Sequence, residues 1–231
     1  MLRRVFLAAA AALALAACAH TGSAPQSTVP ANLGVLKREL VIFYESGAYT
    51  RALTAVTEEA SAWIAARAPQ VERPAIVLDI DETSLSNWAQ MRANDFGYFT
   101  DGPCDALPRG PCGAHAWENS GRAVALAPTL ALYQAARAAG VTVFFITGRH
   151  EAQREGTERN LREAGYAEWG SVTLRAPGPR LPTAEYKSNA RAAIEAAGYA
   201  IIANIGDQQN DLDGGHAERA FLLPNPFYSV P

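Results

Sequence analysis

Five short apolar runs, separated by segments of helical periodicity, constrain the fold of this chain more than any other feature. The runs are residues 75–78, 141–146, 172–174, 200–205 and, more weakly, 220–223. The first four are rich in β-branched or aromatic residues and hardly alternate with polar ones, which is typical of strands buried on both faces. The helical patterns among them are residues 129–139, 152–164 and 184–197. This alternation predicts an α/β fold in which a parallel sheet carries helices on both faces.

Length and composition agree with one domain of ordinary size. The chain has 231 residues, 49% of them apolar and 19% charged, and its net charge is −3. Such a chain can bury a sizeable core, and its composition excludes a disordered protein, a coiled coil and a collagen-like repeat. The lack of surplus basic residues argues against nucleic-acid binding by a cationic surface. We expect the domain to span residues 33–231 and to begin with helix up to residue 68, broken near 46–47.

The first 17 residues predict a signal peptide. Two arginines precede an apolar run that is too short for a transmembrane helix. The run ends in Leu-Ala-Ala-Cys at 15–18, which resembles the lipobox of bacterial lipoproteins, where the cysteine is lipidated; an ordinary secretory signal is the alternative. Residues 18–32 predict a flexible tether. We therefore expect an exported protein anchored through a lipid on Cys18 to the bacterial cell envelope, and Ala19 is compatible with the outer membrane.

Residues 84–127 interrupt the alternation of strands and helices and predict a cap inserted over the strand ends. Cys104 and Cys112 lie in this segment, eight residues apart, and favour a disulfide in an exported protein. A metal pair is the alternative, but His115 alone does not complete a zinc site. Four aromatic residues are expected to form a small core of the cap, with stacking on a planar substrate as the alternative. These residues are Trp88, Phe96, Tyr98 and Phe99.

Carboxylates follow two of the predicted strands. Asp79 and Asp81 come directly after the first strand, and Asp207 and Asp211 follow the fourth. Because parallel strands end at the same edge of a sheet, we expect these side chains to converge. Unpaired buried carboxylates are unfavourable, and a divalent cation with oxygen ligands is their natural partner. The sequence therefore predicts a magnesium site at this edge.

Three further residues suit the same edge. Thr147 offers a hydroxyl after the second strand, and Gly148 lets the backbone approach a ligand closely. Lys187 lies near a helix start, where the dipole disfavours a cation unless an anion or the carboxylates face it. Taken singly, each of these residues could instead end a strand, cap a turn or point into solvent. Together with the carboxylates they suit phosphoryl transfer, which depends on positioning and charge neutralisation.

These motifs, in this order, resemble the haloacid dehalogenase (HAD) superfamily. The matching residues are Asp79-x-Asp81-x-Thr83, Thr147, Lys187 and Gly206-Asp207-x-x-x-Asp211. The segments DIDETSLSN, EYKSNAR, IGDQQNDL and FLLPNPFY are similar to its acid phosphatase branch, subfamily IIIB, across roughly residues 34–231. That branch includes plant acid phosphatases with vegetative storage relatives and bacterial lipoprotein acid phosphatases. The resemblance implies a HAD-like Rossmannoid sheet with a small cap after the first strand.

The resemblance also implies a role for each site residue. Asp79 would attack phosphorus to form an aspartyl-phosphate, and Asp81 would protonate the leaving alcohol and then activate water. Thr147, the amide of Gly148 and Lys187 would hold the phosphoryl group. The implied magnesium ligands are the Asp79 carboxylate, the Asp81 carbonyl and Asp207, with Asp211 supporting Lys187 or a metal-bound water.

The expected function is therefore that of an exported, magnesium-dependent acid phosphatase acting on small phosphate monoesters. A catalytically weak binding or storage-type lipoprotein is the alternative, and the presence of Asp79 favours catalysis. The sequence predicts no oligomeric state and no particular natural substrate.

Overall fold

The computed structural model describes residues 29–179 and 181–230. The predicted signal peptide, Cys18 and most of the tether lie outside the described residues. From Leu33 onward the chain forms one compact unit. No helix among the described residues has both the length and the apolar character needed to cross a membrane.

A five-stranded sheet occupies the centre of this unit. In the described part of the chain the strands are β1 (Pro74–Leu78), β2 (Leu85–Ser86), β3 (Val124–Ala125), β4 (Thr142–His150), β5 (Val172–Arg175), β6 (Ala200–Gly206) and β7 (Ala220–Leu222). The central sheet has the order β5-β4-β1-β6-β7, and all its neighbours pair in parallel. The five apolar runs coincide with these five strands, and the predicted α/β class is confirmed.

Helices cover both faces of the sheet. Those of the described residues are α1 (Leu33–Glu45), α2 (Ala48–Arg67), α3 (Trp88–Ala93), α4 (Ala114–Ser120), α5 (Ala127–Ala138), α6 (Arg154–Glu163), α7 (Thr183–Ala196) and α8 (Gln209–Leu212). Alternate residues of β1 point to opposite faces, so Ile76 and Leu78 join the larger core, whereas Ala75 and Val77 join a smaller one. Ile194 of α7 packs in that smaller core. Burial on both faces explains why β1 is an uninterrupted apolar run.

The strand register places the site residues side by side. Leu78 at the end of β1 pairs with Phe145 on β4 and with Ile205 on β6. The Asp79 amide continues the ladder by donating to the Ile205 carbonyl at 3.0 Å. The polar residues that follow these three strands therefore emerge at one edge of the sheet.

The segment after β1 forms a cap on this edge. The antiparallel pair β2–β3 brings its two ends together, and α3 and α4 lie between them in the chain. A disulfide joins Cys104 to Cys112. The Asn94 side chain accepts from the Cys112 amide at 2.8 Å and donates to the Cys112 carbonyl at 2.9 Å, which ties the loop to the end of α3.

Only two of the four cap aromatics pack together as the sequence predicts. Trp88 contacts Phe96, with ring centroids 6.0 Å apart, and both rings contact Phe227. Trp88 also stacks on Tyr44 of α1, with ring centroids 3.7 Å apart. Tyr98 and Phe99 are 75% and 45% exposed, so the expectation of one four-residue core is wrong for these two residues.

A buried arginine holds the loop that follows β6. Arg191 of α7 is fully buried, and its guanidinium donates to the carbonyls of Asp211, Asp213 and Gly215. These hydrogen bonds hold the loop after β6, on which Asp207 and Asp211 lie. Arg191 therefore helps to position both carboxylates without contacting their side chains.

Replacing Arg191 tests its contribution to the stability of the fold. Arg191→Met is expected to lower the free energy of unfolding by about 3 kcal/mol, since three charged hydrogen bonds to buried carbonyls are lost. Arg38→Met, at an exposed position of α1, is the matched control and should change stability by less than about 0.5 kcal/mol. Urea unfolding followed by circular dichroism measures both, and equal midpoints would contradict the assignment.

Candidate active site

A buried lysine bridges two carboxylates at the sheet edge. Asp79 follows β1, Asp211 lies on α8 and Lys187 lies near the start of α7; all three are buried. Lys187 Nζ donates to Asp79 Oδ1 at 2.5 Å and to Asp211 Oδ1 at 2.6 Å. Lys187 can occupy a position that the helix dipole disfavours because its charge faces two carboxylates.

The contacts of Lys187 with the two carboxylates also affect the ionisation of these side chains. Burial raises the pKa of Asp79 well above its usual value, and Lys187 opposes this only in part. Burial acts to lower the pKa of Lys187, but the carboxylates of Asp79 and Asp211 outweigh it and the pKa rises. The ammonium is therefore a permanent positive charge beside Asp79.

Asp207 lies next to this group, at the end of β6. Its carboxylate accepts from Thr83 Oγ1 at 3.1 Å and from the side-chain amides of Gln208 and Asn225 at 2.7 Å each. Burial raises the pKa of Asp207 to about 6. Gly206 is required here, because a Cβ at this position would lie 2.4 Å from Asp211 Cβ.

Three carboxylates could hold a metal ion. Oxygens of Asp79, Asp207 and Asp211 lie within 4.8 Å of one another and are buried. An all-oxygen, anionic donor set fits a hard divalent cation. Asp211 fits least well, because its oxygens already accept from Lys187 and from the Gln208 amide. The Asp79 side chain contacts Lys187, whereas the Asp81 side chain has a different partner.

That partner is Arg149, to which sequence reasoning assigns no role. Its Nη2 donates to Asp81 Oδ1 at 2.7 Å and its Nε to Asp81 Oδ2 at 3.1 Å. Asn87 Nδ2 adds a third bond to Asp81 Oδ1 at 2.9 Å. Burial raises the pKa of Asp81, but Arg149, together with Asn87 and Lys187, outweighs this effect and the net shift of the pKa is downward. In this conformation Asp81 is an ionised, paired carboxylate.

Glu82 forms a second polar cluster that the sequence motifs leave unexplained. It is buried, and it accepts from the Asn87 amide at 2.6 Å and from the Tyr228 hydroxyl at 2.7 Å. Burial raises the pKa of Glu82 to about 8. Asn87 also accepts from Trp117 Nε1 at 2.7 Å. The cluster thus links Asp81, the cap and the C-terminal segment.

Thr147 and Gly148 occupy different environments. Thr147 is fully buried, and its hydroxyl accepts from the Arg149 amide at 3.2 Å. Gly148 is exposed, lines the cavity and has open space where a Cβ would lie. The Gly148 main chain is therefore accessible to a ligand, whereas Thr147 lies behind it.

A cavity of about 600 Å³ opens above these residues. Asp79, Lys187 and Asp207 line one side of it, and residues of the cap and of the C-terminal segment line the rest. The cap residues include His115 and Glu118. A small organic molecule bearing an anionic group fits this volume and charge distribution.

Known proteins share both sequence and fold with this chain. Acid phosphatase 1 from Solanum lycopersicum is 37% identical over 158 residues, which is 67% of this chain and 58% of that protein. The stem 28 kDa glycoprotein from Glycine max is 37% identical over 160 residues, 67% of this chain and 59% of that protein. Vegetative storage protein 1 from Arabidopsis thaliana is 33% identical over 156 residues, 67% and 55% of the respective chains. The match thus spans less than two thirds of the length of these relatives.

A class C acid phosphatase from Bacillus anthracis, crystallised with tungstate bound, has a similar fold. The TM-score is 0.65 at 22% identity, covering 84% of this chain and 86% of that one. The family described as HAD superfamily, subfamily IIIB (Acid phosphatase), matches residues 6–231. The resemblance seen in the motifs is confirmed, and the chain belongs to the subfamily IIIB acid phosphatases of the HAD superfamily.

Proposed function

We propose that this protein hydrolyses small phosphate monoesters through an aspartyl-phosphate. The observation that carries the proposal is the buried contact between Asp79 and Lys187 on the wall of an open cavity. Lys187 neutralises the incoming phosphoryl group and orients the Asp79 carboxylate for attack on phosphorus. The accessible Gly148 main chain binds phosphoryl oxygens, and Asp81 delivers a proton to the leaving oxygen and then takes one from water.

We further propose that Mg²⁺ completes the site. Asp79 and Asp207 would hold it, with the Asp81 carbonyl, while Asp211 keeps Lys187 in place. The donor set supports this, because hard oxygen ligands suit Mg²⁺. When bound, the ion supplies positive charge that neutralises the transferring phosphoryl group.

The N-terminal residues support a proposal about location. The apolar run and Cys18 favour export and attachment of the protein to the cell envelope through a lipid, facing the periplasm or the cell surface. The segment of residues 18–32, which the sequence predicts to be a tether, would let the phosphatase domain act away from the membrane.

Replacement of the nucleophile tests the catalytic proposal. Asp79→Asn is expected to lower kcat for p-nitrophenyl phosphate by about a thousandfold or more, because the amide cannot form the phosphoenzyme. Asp213→Asn is the matched control: Asp213 is exposed, follows α8 and does not line the cavity. Full activity in Asp79→Asn would refute the mechanism. A folded wild type without turnover on a panel of phosphate esters would favour the storage-type alternative.

Removal of metal tests the magnesium proposal. EDTA should abolish turnover, and added Mg²⁺ should restore it. Asp207→Asn should raise the Mg²⁺ concentration for half-maximal activity by about tenfold to a hundredfold, because an anionic ligand is lost. Titration of activity with Mg²⁺ in Asp207→Asn and Asp213→Asn gives the comparison. Unchanged activity after exhaustive chelation would exclude a required metal.

Metabolic labelling tests the anchor. In a bacterial host, a labelled fatty acid should be incorporated into the full-length chain and not into Cys18→Ser, since only the thiol can carry the lipid. Cys104→Ser leaves the lipobox cysteine intact and serves as the control. Absence of label from the wild type, or equal label in Cys18→Ser, would contradict lipid attachment at this residue.

A further inference from the structure

The carboxylate assigned to acid–base chemistry is held by a buried arginine. Both oxygens of Asp81 accept from Arg149, and Asn87 adds a third bond. A general acid must come within hydrogen-bond reach of the atom it protonates. Asp81 therefore has to turn away from Arg149 during each turnover.

Arg149 cannot easily be left without a counter-charge. Its side chain is 1% exposed. Within the part of the chain that the structure describes, its other side-chain hydrogen-bond acceptor is the neutral Thr157 hydroxyl, at 3.1 Å. A buried guanidinium that loses its carboxylate is strongly unfavourable. Departure of Asp81 thus requires another anion close to Arg149.

Glu118 of α4 meets this requirement. It lines the same cavity as Asp81 and Arg149, and it interacts electrostatically with both. Its Oε2 is shielded from solvent and makes no hydrogen bond to any of the described residues. Burial and the charge of Asp81 raise the pKa of Glu118 to about 7, whereas Arg149 lowers it, so the ionised form of Glu118 becomes more favourable when Asp81 moves away. Asp79, the other carboxylate that acts on Arg149, is already bound by Lys187.

We propose that Arg149 exchanges Asp81 for Glu118 during turnover, which makes Glu118 a positioning residue for the acid–base step. The inference rests on the proposed phosphatase activity. Asp81 takes up a proton from solvent as it turns away from Arg149. As the bond between phosphorus and the leaving oxygen breaks, that proton passes to the oxygen and phosphorus bonds to Asp79. Water then attacks the phosphoaspartate, the bond between phosphorus and Asp79 breaks to release phosphate, and the proton of the water passes to Asp81, which gives it up when it pairs with Arg149 again. Glu118 exchanges no proton with the substrate; it holds Arg149 while Asp81 acts.

The dependence on leaving group tests this role. In full-length protein with Mg²⁺, Glu118→Gln is expected to lower kcat/KM for glycerol 2-phosphate by about tenfold to a hundredfold, because this ratio reports the steps up to alcohol release and an alkoxide needs protonation as it leaves. For p-nitrophenyl phosphate, whose leaving group is stable as an anion, kcat/KM should fall by less than about threefold. Glu163→Gln, at an exposed position at the end of α6, should change neither value.

The outcomes separate the two levels of the proposal. Selective loss on the alkyl ester supports the exchange of Arg149 between the two carboxylates. Equal loss on both esters, or no loss on either, would overturn it while leaving the phosphatase assignment intact. If the folded wild type hydrolyses neither ester with Mg²⁺, and so behaves like Asp79→Asn, both the proposed function and this inference are overturned.

Discussion

The buried ion pairs of Lys187 are the interaction on which the site depends. Three carboxylates meet at one sheet edge, shielded from water, and such a group would repel itself without a cation. One ammonium leaves two negative charges when all three carboxylates are ionised, which is the deficit that a divalent ion balances. The lysine also holds Asp79 and Asp211 at fixed distances. One side chain thus both neutralises and positions these carboxylates, and the proposed metal site and the proposed nucleophile depend on the same geometry.

The scaffold maintains this geometry through contacts away from the edge. The register of β1 with its two neighbours determines that Asp79 and Asp207 leave the sheet together. Gly206 allows Asp211 to approach the strand, and Arg191 fixes the loop behind it through main-chain carbonyls. Catalytic side chains attached to rigid strands, and braced by buried hydrogen bonds, need little reorganisation before reaction. The fold therefore limits the movement of the carboxylates around Lys187, whereas the proposed change of partner concerns Asp81.

The sequence predicts the sheet and the members of the site better than their contacts. Strand positions and convergence of carboxylates follow from periodicity and from the rule that parallel strands end at one edge. The pairing of Arg149 with Asp81 does not, because the two residues are 68 positions apart and no local pattern links them. The same holds for Glu82 and Tyr228, separated by 146 positions. The stacking of Trp88 on Tyr44 is missed for a related reason, because Tyr44 lies on a helix that precedes the sheet. Local patterns identify residues that carry chemistry, whereas their partners depend on tertiary packing.

The cap is continuous with the core rather than a separate lid. Asn87 donates to both Asp81 and Glu82 and accepts from Trp117, so one buried amide joins the site to a cap helix. Breaking these bonds would leave buried polar groups unsatisfied, which disfavours large cap movement. These bonds favour a cavity of constant shape. The proposed reaction would then need only the motion of individual side chains, because a carboxylate that changes partner is less costly than a cap that opens.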